Sequence, residues 1–127
     1  MQLEIRGQDF PVFVDLRDHI QSRMETALAR HRERVERVEV RLADVNGPKG
    51  GVDKQCRAVV RLRPRGRVMV QEVSTDFLAA ATRVADRLSR AVARSLERQR
   101  ESRINRQGMS PREEHRPEIP DAEPEEE

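Results

Sequence analysis

The sequence predicts an α+β fold in which a four-stranded sheet carries two helices packed on one face. Three short segments alternate apolar and polar residues, as half-buried strands do, a fourth short segment also reads as a strand, and two longer segments repeat apolar residues every three or four positions. The predicted order is β-α-β-β-β-α, a two-layer sandwich. After Gly108 the composition shifts to Pro and Glu, so we expect an α+β domain over residues 1–106 and a disordered acidic tail over residues 107–127.

The first half of the chain predicts a strand, a helix and a second strand. QLEIR alternates and ends at Gly7, and VERVEVRL, residues 35–42, alternates in the same way. A helix is predicted between them, from about Asp15, its candidate N-cap, to His31. Its apolar positions are Leu16, Ile20, Met24, Ala27 and Leu28. Such a crossover helix makes the two strands parallel if they are neighbours.

The second half predicts an antiparallel meander followed by a long helix. Residues 43–53 are a loop, KQCRAVVRL (54–62) and RVMVQEVS (67–74) are strands, and RPRG between them is a turn. The second helix begins near Asp76 and ends by about Arg103. Its predicted core face carries Leu78, Ala81, Val84, Ala85, Leu88 and Val92.

The charge is divided unevenly along the chain. The 127 residues carry 25 basic and 23 acidic side chains, and only Lys49 and Lys54 among the bases are lysines. Residues 110–127 hold eight acids and two bases, a net charge of −6, so residues 1–109 carry +8. A basic body with an acidic tail indicates a nucleic-acid partner and a built-in competitor for it.

The second helix carries a row of arginines beside its core face. Their steps of 4, 3, 4 and 4 place them on one side of the helix, along about 22 Å. The row is Arg83, Arg87, Arg90, Arg94 and Arg98. Like charges at i,i+4 repel by a few tenths of a kcal/mol unless an external anion relieves them. The pattern therefore favours a polyanion-binding face over the alternative, a charged surface that only keeps the protein in solution.

The first helix can extend this basic surface. His19, Arg23 and Arg30 fall on one flank of its predicted core face. If the two helices pack side by side, this flank and the arginine row could form a joined basic groove, although the sequence does not determine which flanks meet.

No catalytic, metal or cofactor site is predicted. His19, His31 and His115 are scattered, no Cys/His set has zinc spacing, and NGPKGG (46–51) lacks the residue order of a phosphate loop. Cys56 is expected to be a small buried residue in a reducing cytoplasm. No apolar run could span a membrane, and the N-terminus lacks a signal-peptide layout.

The aromatic residues narrow the expected binding mode. The sequence contains three phenylalanines, Phe10, Phe13 and Phe77, and no tryptophan or tyrosine. Proteins that bind splayed-out bases stack them on several exposed aromatic side chains. We therefore expect a partner that is read through backbone phosphates and shape, as folded RNA is.

Three segments resemble one known family. MQLEIRG, LRDHIQSRMETAL and STDFLAAATRVADRLSRAVAR resemble the ribosome hibernation-promoting factors, which include the ribosome-associated inhibitor of translation. The resemblance covers about residues 1–103, and its most specific pattern runs from Asp76 to Arg90. It implies a factor that binds small-subunit rRNA in the mRNA and tRNA channel, inhibiting translation and protecting idle ribosomes.

The resemblance also implies rRNA-binding residues. It points to Arg23 on the first helix and to Arg83, Arg87, Arg90 and Arg94 on the second, whereas Arg30 and Arg98 rest on the spacing argument. The implied partner is the small ribosomal subunit, bound by a cytoplasmic monomer with no membrane or small-molecule partner. The chain departs from the family in its glycine-rich 44–56 loop, in Thr26, where a base is expected, and in lacking the long-form C-terminal domain.

Two further functions stay open. One is a protein-interaction module that modulates a transcription factor, with the arginines facing an acidic partner. The other is a general binder of structured RNA, because an α-β-β-β-α core is similar to that of double-stranded RNA-binding domains.

Overall fold

The computed structural model describes residues 1–45 and 52–108, with side chains as far as Glu101. The predicted order β-α-β-β-β-α is confirmed. The strands are β1 (Gln2–Gly7), β2 (Val35–Asp44), β3 (Lys54–Leu62) and β4 (Arg67–Ser74), and the helices are α1 (Val14–Leu28) and α2 (Phe77–Gly108). A 3-10 segment, Ala29–Arg34, connects α1 to β2.

The strands form one mixed sheet in the order β1-β2-β3-β4. β1 and β2 are parallel, with Ile5 opposite Val40, and α1 is the crossover between them. The pairs β2–β3 and β3–β4 are antiparallel, as a meander requires. The sheet topology is the predicted one: a helix connects the parallel strands, and strands that follow one another without a helix pair antiparallel.

Both helices cover the same face of the sheet and share one apolar core with it. Alternate residues of the strands point into this core, including Val40 of β2 and Val60 of β3, which are almost fully buried. α1 contributes Ile20, Met24 and Leu28. Within the predicted core face of α2, Leu78 is half-buried and the other five residues are buried.

The prediction for the ends of α1 is wrong at both ends. The helix begins at Val14, and Phe13 occupies the N-cap position without a side-chain capping bond. Asp15 is instead inside the first turn, where its negative charge faces the positive end of the helix dipole. The helix ends at Leu28 because the chain tightens into the 3-10 segment, and His31 within that segment has non-helical dihedral angles (φ −116°, ψ 22°).

The second helix begins as predicted and ends later. The Asp76 carboxylate accepts a hydrogen bond from the backbone N–H of Ala79 at 2.7 Å, which caps the helix. The prediction that the helix ends near Arg103 is wrong, because residues 103–107 contain no Pro or Gly and the helix continues to Gly108. The NGPKGG segment and residues 109–127 lie outside the described residues.

A polar cluster ties α2 to the turn between β3 and β4. Gln99 of α2 donates from Nε2 to the carbonyl of Arg65 at 2.7 Å, and Arg34 donates from Nε to the carbonyl of Arg63 at 2.8 Å. Gly66 has φ +116°, and a Cβ there would lie 2.5 Å from Nε2 of Gln99. Glycine is therefore needed at this position both for the backbone angle and for the close approach of α2.

Candidate nucleic-acid interface

The arginine row of α2 divides into an exposed part and a half-buried part. Arg83, Arg90 and Arg94 are exposed, whereas Arg87 and Arg98 are half-buried on the flank closest to the core. The difference follows from the helical angle: at ~100° per residue, Arg87 and Arg98 lie within about 80° of Phe77, nearer the core arc than the other three. The outward surface of the row is thus formed by three residues.

Arg87 is bound to strand β4. Its Nη1 lies 2.6 Å from a carboxylate oxygen of Glu72 and donates to the backbone carbonyl of Gln71 at 3.2 Å. The side chains of Arg87 and Glu72 are 33% and 23% exposed, so this ion pair is shielded from much of the solvent. The charge of Arg87 is partly compensated inside the protein, and its contacts position α2 along the edge of the sheet.

A groove runs between the 3-10 segment and α2, and it brings together basic residues from both. Arg30 and Arg90 line it together, so one part of the predicted joined surface is present. Arg23 is exposed on α1 but does not line this groove. The other lining residues are Ala29, His31, Arg32, Glu33, Arg34, Ser89, Ala93, Leu96, Glu97 and Arg100.

Three of these arginines were absent from the sequence-based prediction. Arg32 and Arg100 are exposed in the groove, and Arg34 is half-buried with bonds to Arg63 and Gln99. The sequence-based prediction placed residues 29–31 at the end of α1 and included only Arg30 of the basic run RHRER (30–34) in the site. In the structure this run belongs to the 3-10 segment, which lines the groove beside α2. That run of bases between a helix and a strand was the signal available in the sequence. With Glu33 and Glu97 as its acids, the groove remains predominantly cationic.

The cysteine is buried, and the described residues form no cluster of metal ligands. Burial raises the pKa of the Cys56 thiol to about 12, so at neutral pH it stays protonated in the core. Within the described ranges, no three His, Cys, Asp or Glu side chains are grouped so that they could hold a metal ion. In the same part of the chain, neither helix has the length and apolar character needed to cross a membrane.

The aromatic side chains do not form a stacking platform in the groove. Phe10 and Phe77 pack together, with ring centroids 5.3 Å apart, beside the core. Phe13 is exposed, at 74%, but lies at the start of α1 and does not line the groove. The geometry therefore fits contacts to a negatively charged backbone rather than to splayed bases.

Two solved structures have a similar fold. The chain is similar to the N-terminal domain of Protein Y from Thermus thermophilus, with 26% identity and a TM-score of 0.57 over 74% of this chain and 98% of that one. It shares its fold with a ribosomal subunit interface protein from Coxiella burnetii, at 16% identity and a TM-score of 0.62, over 74% of this chain and 96% of that one. No curated protein sequence matches it.

A family model matches most of the described chain. The model is that of the sigma 54 modulation protein / S30EA ribosomal protein family, and it matches residues 3–100. The match covers all four strands, α1 and the arginine row of α2, so it confirms the resemblance to hibernation-promoting factors. The chain therefore belongs to the sigma 54 modulation protein / S30EA ribosomal protein family.

Proposed function

We propose that the protein binds the small ribosomal subunit through its helix-side arginines, occupies the mRNA and tRNA channel, and so inhibits translation and protects idle ribosomes. The observation that carries this proposal is the cationic groove in which Arg30 and Arg90 meet, continued along α2 by Arg83 and Arg94. Family membership supports a ribosomal partner, and ribosomes imply a cytoplasmic location. The protein acts here as a non-catalytic monomer.

The proposed rRNA contacts are electrostatic. Arginine presents a planar fork of donors that matches phosphate oxygens, and such contacts fix position without reading sequence. Arg90 contacts rRNA from the groove. Arg87 holds α2 against β4 and also contributes to the positive electrostatic potential of the surface. The full proposed set is Arg23, Arg30, Arg83, Arg87, Arg90, Arg94 and Arg98.

Charge reversal on the exposed part of the row tests the proposal. Arg83→Glu, Arg90→Glu and Arg94→Glu, combined in one protein, should abolish co-sedimentation with small subunits while circular dichroism stays unchanged, because all three side chains are exposed. The matched control replaces the same three residues with lysine, which keeps the charge but loses the bidentate fork, so it should still co-sediment, although more weakly than the parent protein. A folded glutamate variant that co-sediments like the parent protein would contradict the proposal.

The two alternative functions predict different outcomes. A modulator of a transcription factor would not sediment with ribosomes at all. A general structured-RNA binder would be displaced from subunits by plain duplex RNA at concentrations similar to those of subunits. The proposed function predicts that small subunits compete far better than duplex RNA.

A further inference from the structure

The face of the sheet opposite the helices carries a second set of arginines. In the described residues both helices pack on the other face, and most outward residues of the four strands are exposed or half-buried, whereas Met69 is buried. Its arginines are Arg6, Arg37, Arg41, Arg57, Arg61 and Arg67, and its acids are Glu4 and Glu39.

The strand register aligns these arginines into two rows across the sheet. Arg6, Arg41 and Arg57 lie opposite one another on β1, β2 and β3. The second row contains Arg37 on β2, Arg61 on β3 and Arg67 on β4, which also lie opposite one another. The rows lie about 14 Å apart, four residues along a strand. Between them is a row formed by Glu4, Glu39, Val59 and Met69.

The two acids of the middle row compensate only one side of the face. The Glu4 carboxylate accepts hydrogen bonds from Nε of Arg6 at 2.8 Å and from Nη2 of Arg37 at 2.7 Å. A carboxylate oxygen of Glu39 lies 2.9 Å from Nε of Arg37. The hydrogen bond from Arg6 is the largest of the effects that hold the pKa of Glu4 below its usual value. These acids therefore neutralise Arg6 and Arg37.

Arg41 of β2 and the outward arginines of β3 and β4 keep their positive charge. Within residues 1–45 and 52–101, no carboxylate pairs with Arg41, Arg61 or Arg67. Arg57 donates from Nε to the sulfur of Met69 at 3.2 Å, which covers that methionine and leaves the guanidinium at the surface. Like charges directly opposite on neighbouring strands are destabilising, and Arg41/Arg57 and Arg61/Arg67 are two such pairs.

We propose that the open sheet face is a second RNA-backbone-binding surface, with Arg41, Arg57, Arg61 and Arg67 contacting phosphates. An external polyanion relieves the like-charge pairs that the protein leaves uncompensated. All six bases on the face are arginine, the residue suited to bidentate phosphate contacts, and none of the three phenylalanines lies there to stack a base. The partner is therefore the sugar-phosphate backbone.

The consequence for binding is that rRNA contacts the protein from two sides. The helix-side groove and the sheet face lie on opposite surfaces of a two-layer fold, so one RNA segment cannot cover both. This inference rests on the proposed function only in taking the RNA to be ribosomal. A domain that is basic on two opposite faces would fill a cleft between RNA segments instead of docking on one surface.

The test compares matched variants of the full chain on two probes, intact small subunits and protein-free small-subunit rRNA. Arg41→Gln, Arg61→Gln and Arg67→Gln are combined in the sheet variant, and the control carries lysine at the same positions. The slope of log K against log salt is negative, and removing three phosphate contacts should make it shallower by about 2–3. Binding at 0.1 M salt should weaken roughly a hundredfold. The lysine control should keep the slope.

The two proposals fail in different ways. If the parent chain binds rRNA but not subunits, the proposed function is wrong, and the slopes on rRNA still decide the role of the sheet face. Parental affinity and slope in the glutamine variant would overturn the sheet-face proposal. Cross-linking of both proteins to intact subunits supplies a second readout. If the glutamine variant binds RNA like the parent but loses cross-links to an acidic ribosomal protein, the sheet face contacts a protein and the proposal is overturned. If the parent binds neither probe, both proposals are wrong.

Discussion

Arg87 of α2 and Glu72 of β4 form an ion pair with 2.6 Å between Nη1 and the carboxylate oxygen, across the interface of the helix and the edge strand. Arg87 also donates to the carbonyl of Gln71. It therefore has a structural contact as well as a place in the basic row, and we expect its variants to change folding stability.

Replacing Arg87 by alanine should lower the free energy of unfolding by about 1–2 kcal/mol, because a partly shielded ion pair and a hydrogen bond are lost. Arg90→Ala, at an exposed neighbouring position, should change it by less than about 0.5 kcal/mol. Urea denaturation of the two variants measures the difference. Equal stabilities would show that the contact with Glu72 contributes nothing to folding.

The groove predicts that Arg30 and Arg90 each contact one phosphate. Arg30→Gln and Arg90→Gln should each reduce the salt slope of small-subunit binding by about 1 and weaken binding to different RNA sequences equally. Titrations at several salt concentrations measure both quantities. Gln21→Ala, at an exposed position of α1 that does not line the groove, serves as the neutral control. An unchanged slope for either arginine variant would remove that residue from the interface.

Glu4 is predicted to weaken RNA binding in the native protein. Glu4→Gln removes the acid that contacts both Arg6 and Arg37, so Arg6 becomes available to phosphate while Arg37 keeps its ion pair with Glu39. Binding to protein-free rRNA should tighten and the salt slope should steepen, which filter binding can measure. Asp18→Gln, an exposed acid on α1, removes the same charge away from the sheet, and a gain of equal size in both variants would point to net charge instead.

Cys56 should matter for packing and for stability at high pH. Cys56→Ala should cost on the order of 1 kcal/mol and leave ribosome binding unchanged. The folded thiol has a pKa raised by burial to about 12 from 9.0, so its contribution is complete below pH 9 and is lost as pH rises toward 12. As pH rises above 9, the free energy of unfolding of the parent should therefore fall relative to that of the variant, first removing and then reversing the parent's advantage. A thiol that reacts rapidly with a disulfide reagent in the folded protein at pH 8 would contradict this burial.

The sequence predicted the strands better than the helix ends. The bounds of β3 and β4 were correct because both segments are rich in β-branched residues and the RPRG turn separates them. The error at Asp15 arose because a good capping residue also fits the first turn of a helix. The α1 end was missed because the 3-10 segment begins with residues that suit a helix.

For the candidate site, periodicity located the arginine row but not its contacts. The pair between Arg87 and Glu72 joins positions 15 residues apart in sequence and depends on how α2 lies against β4, so local spacing could not reveal it. The outward arginines of β3 were visible in the alternating pattern. Their alignment with Arg41 and Arg67 required the strand register, which sequence patterns leave open.

The acidic segment 110–127 is proposed to compete with RNA for the basic body. A tethered segment of charge −6 acts at high effective concentration on a body of charge +8. Truncation after Gly108 should tighten binding to protein-free rRNA at low salt and reduce the preference for subunits, with the difference shrinking as salt screens the charges. Affinity measurements at two salt concentrations check this. Unchanged or weaker RNA binding by the truncated protein at low salt would exclude competition.

The central claim is that the arginines of this protein lie against rRNA in the decoding channel of the small subunit. A cryo-EM reconstruction of small subunits with the full chain added tests it most directly. We expect density for the domain in the mRNA and tRNA channel, with the groove of Arg30 and Arg90 facing one rRNA segment and the open sheet face another. Density outside the channel, or a domain held there with the α2 arginines facing solvent, would contradict the account.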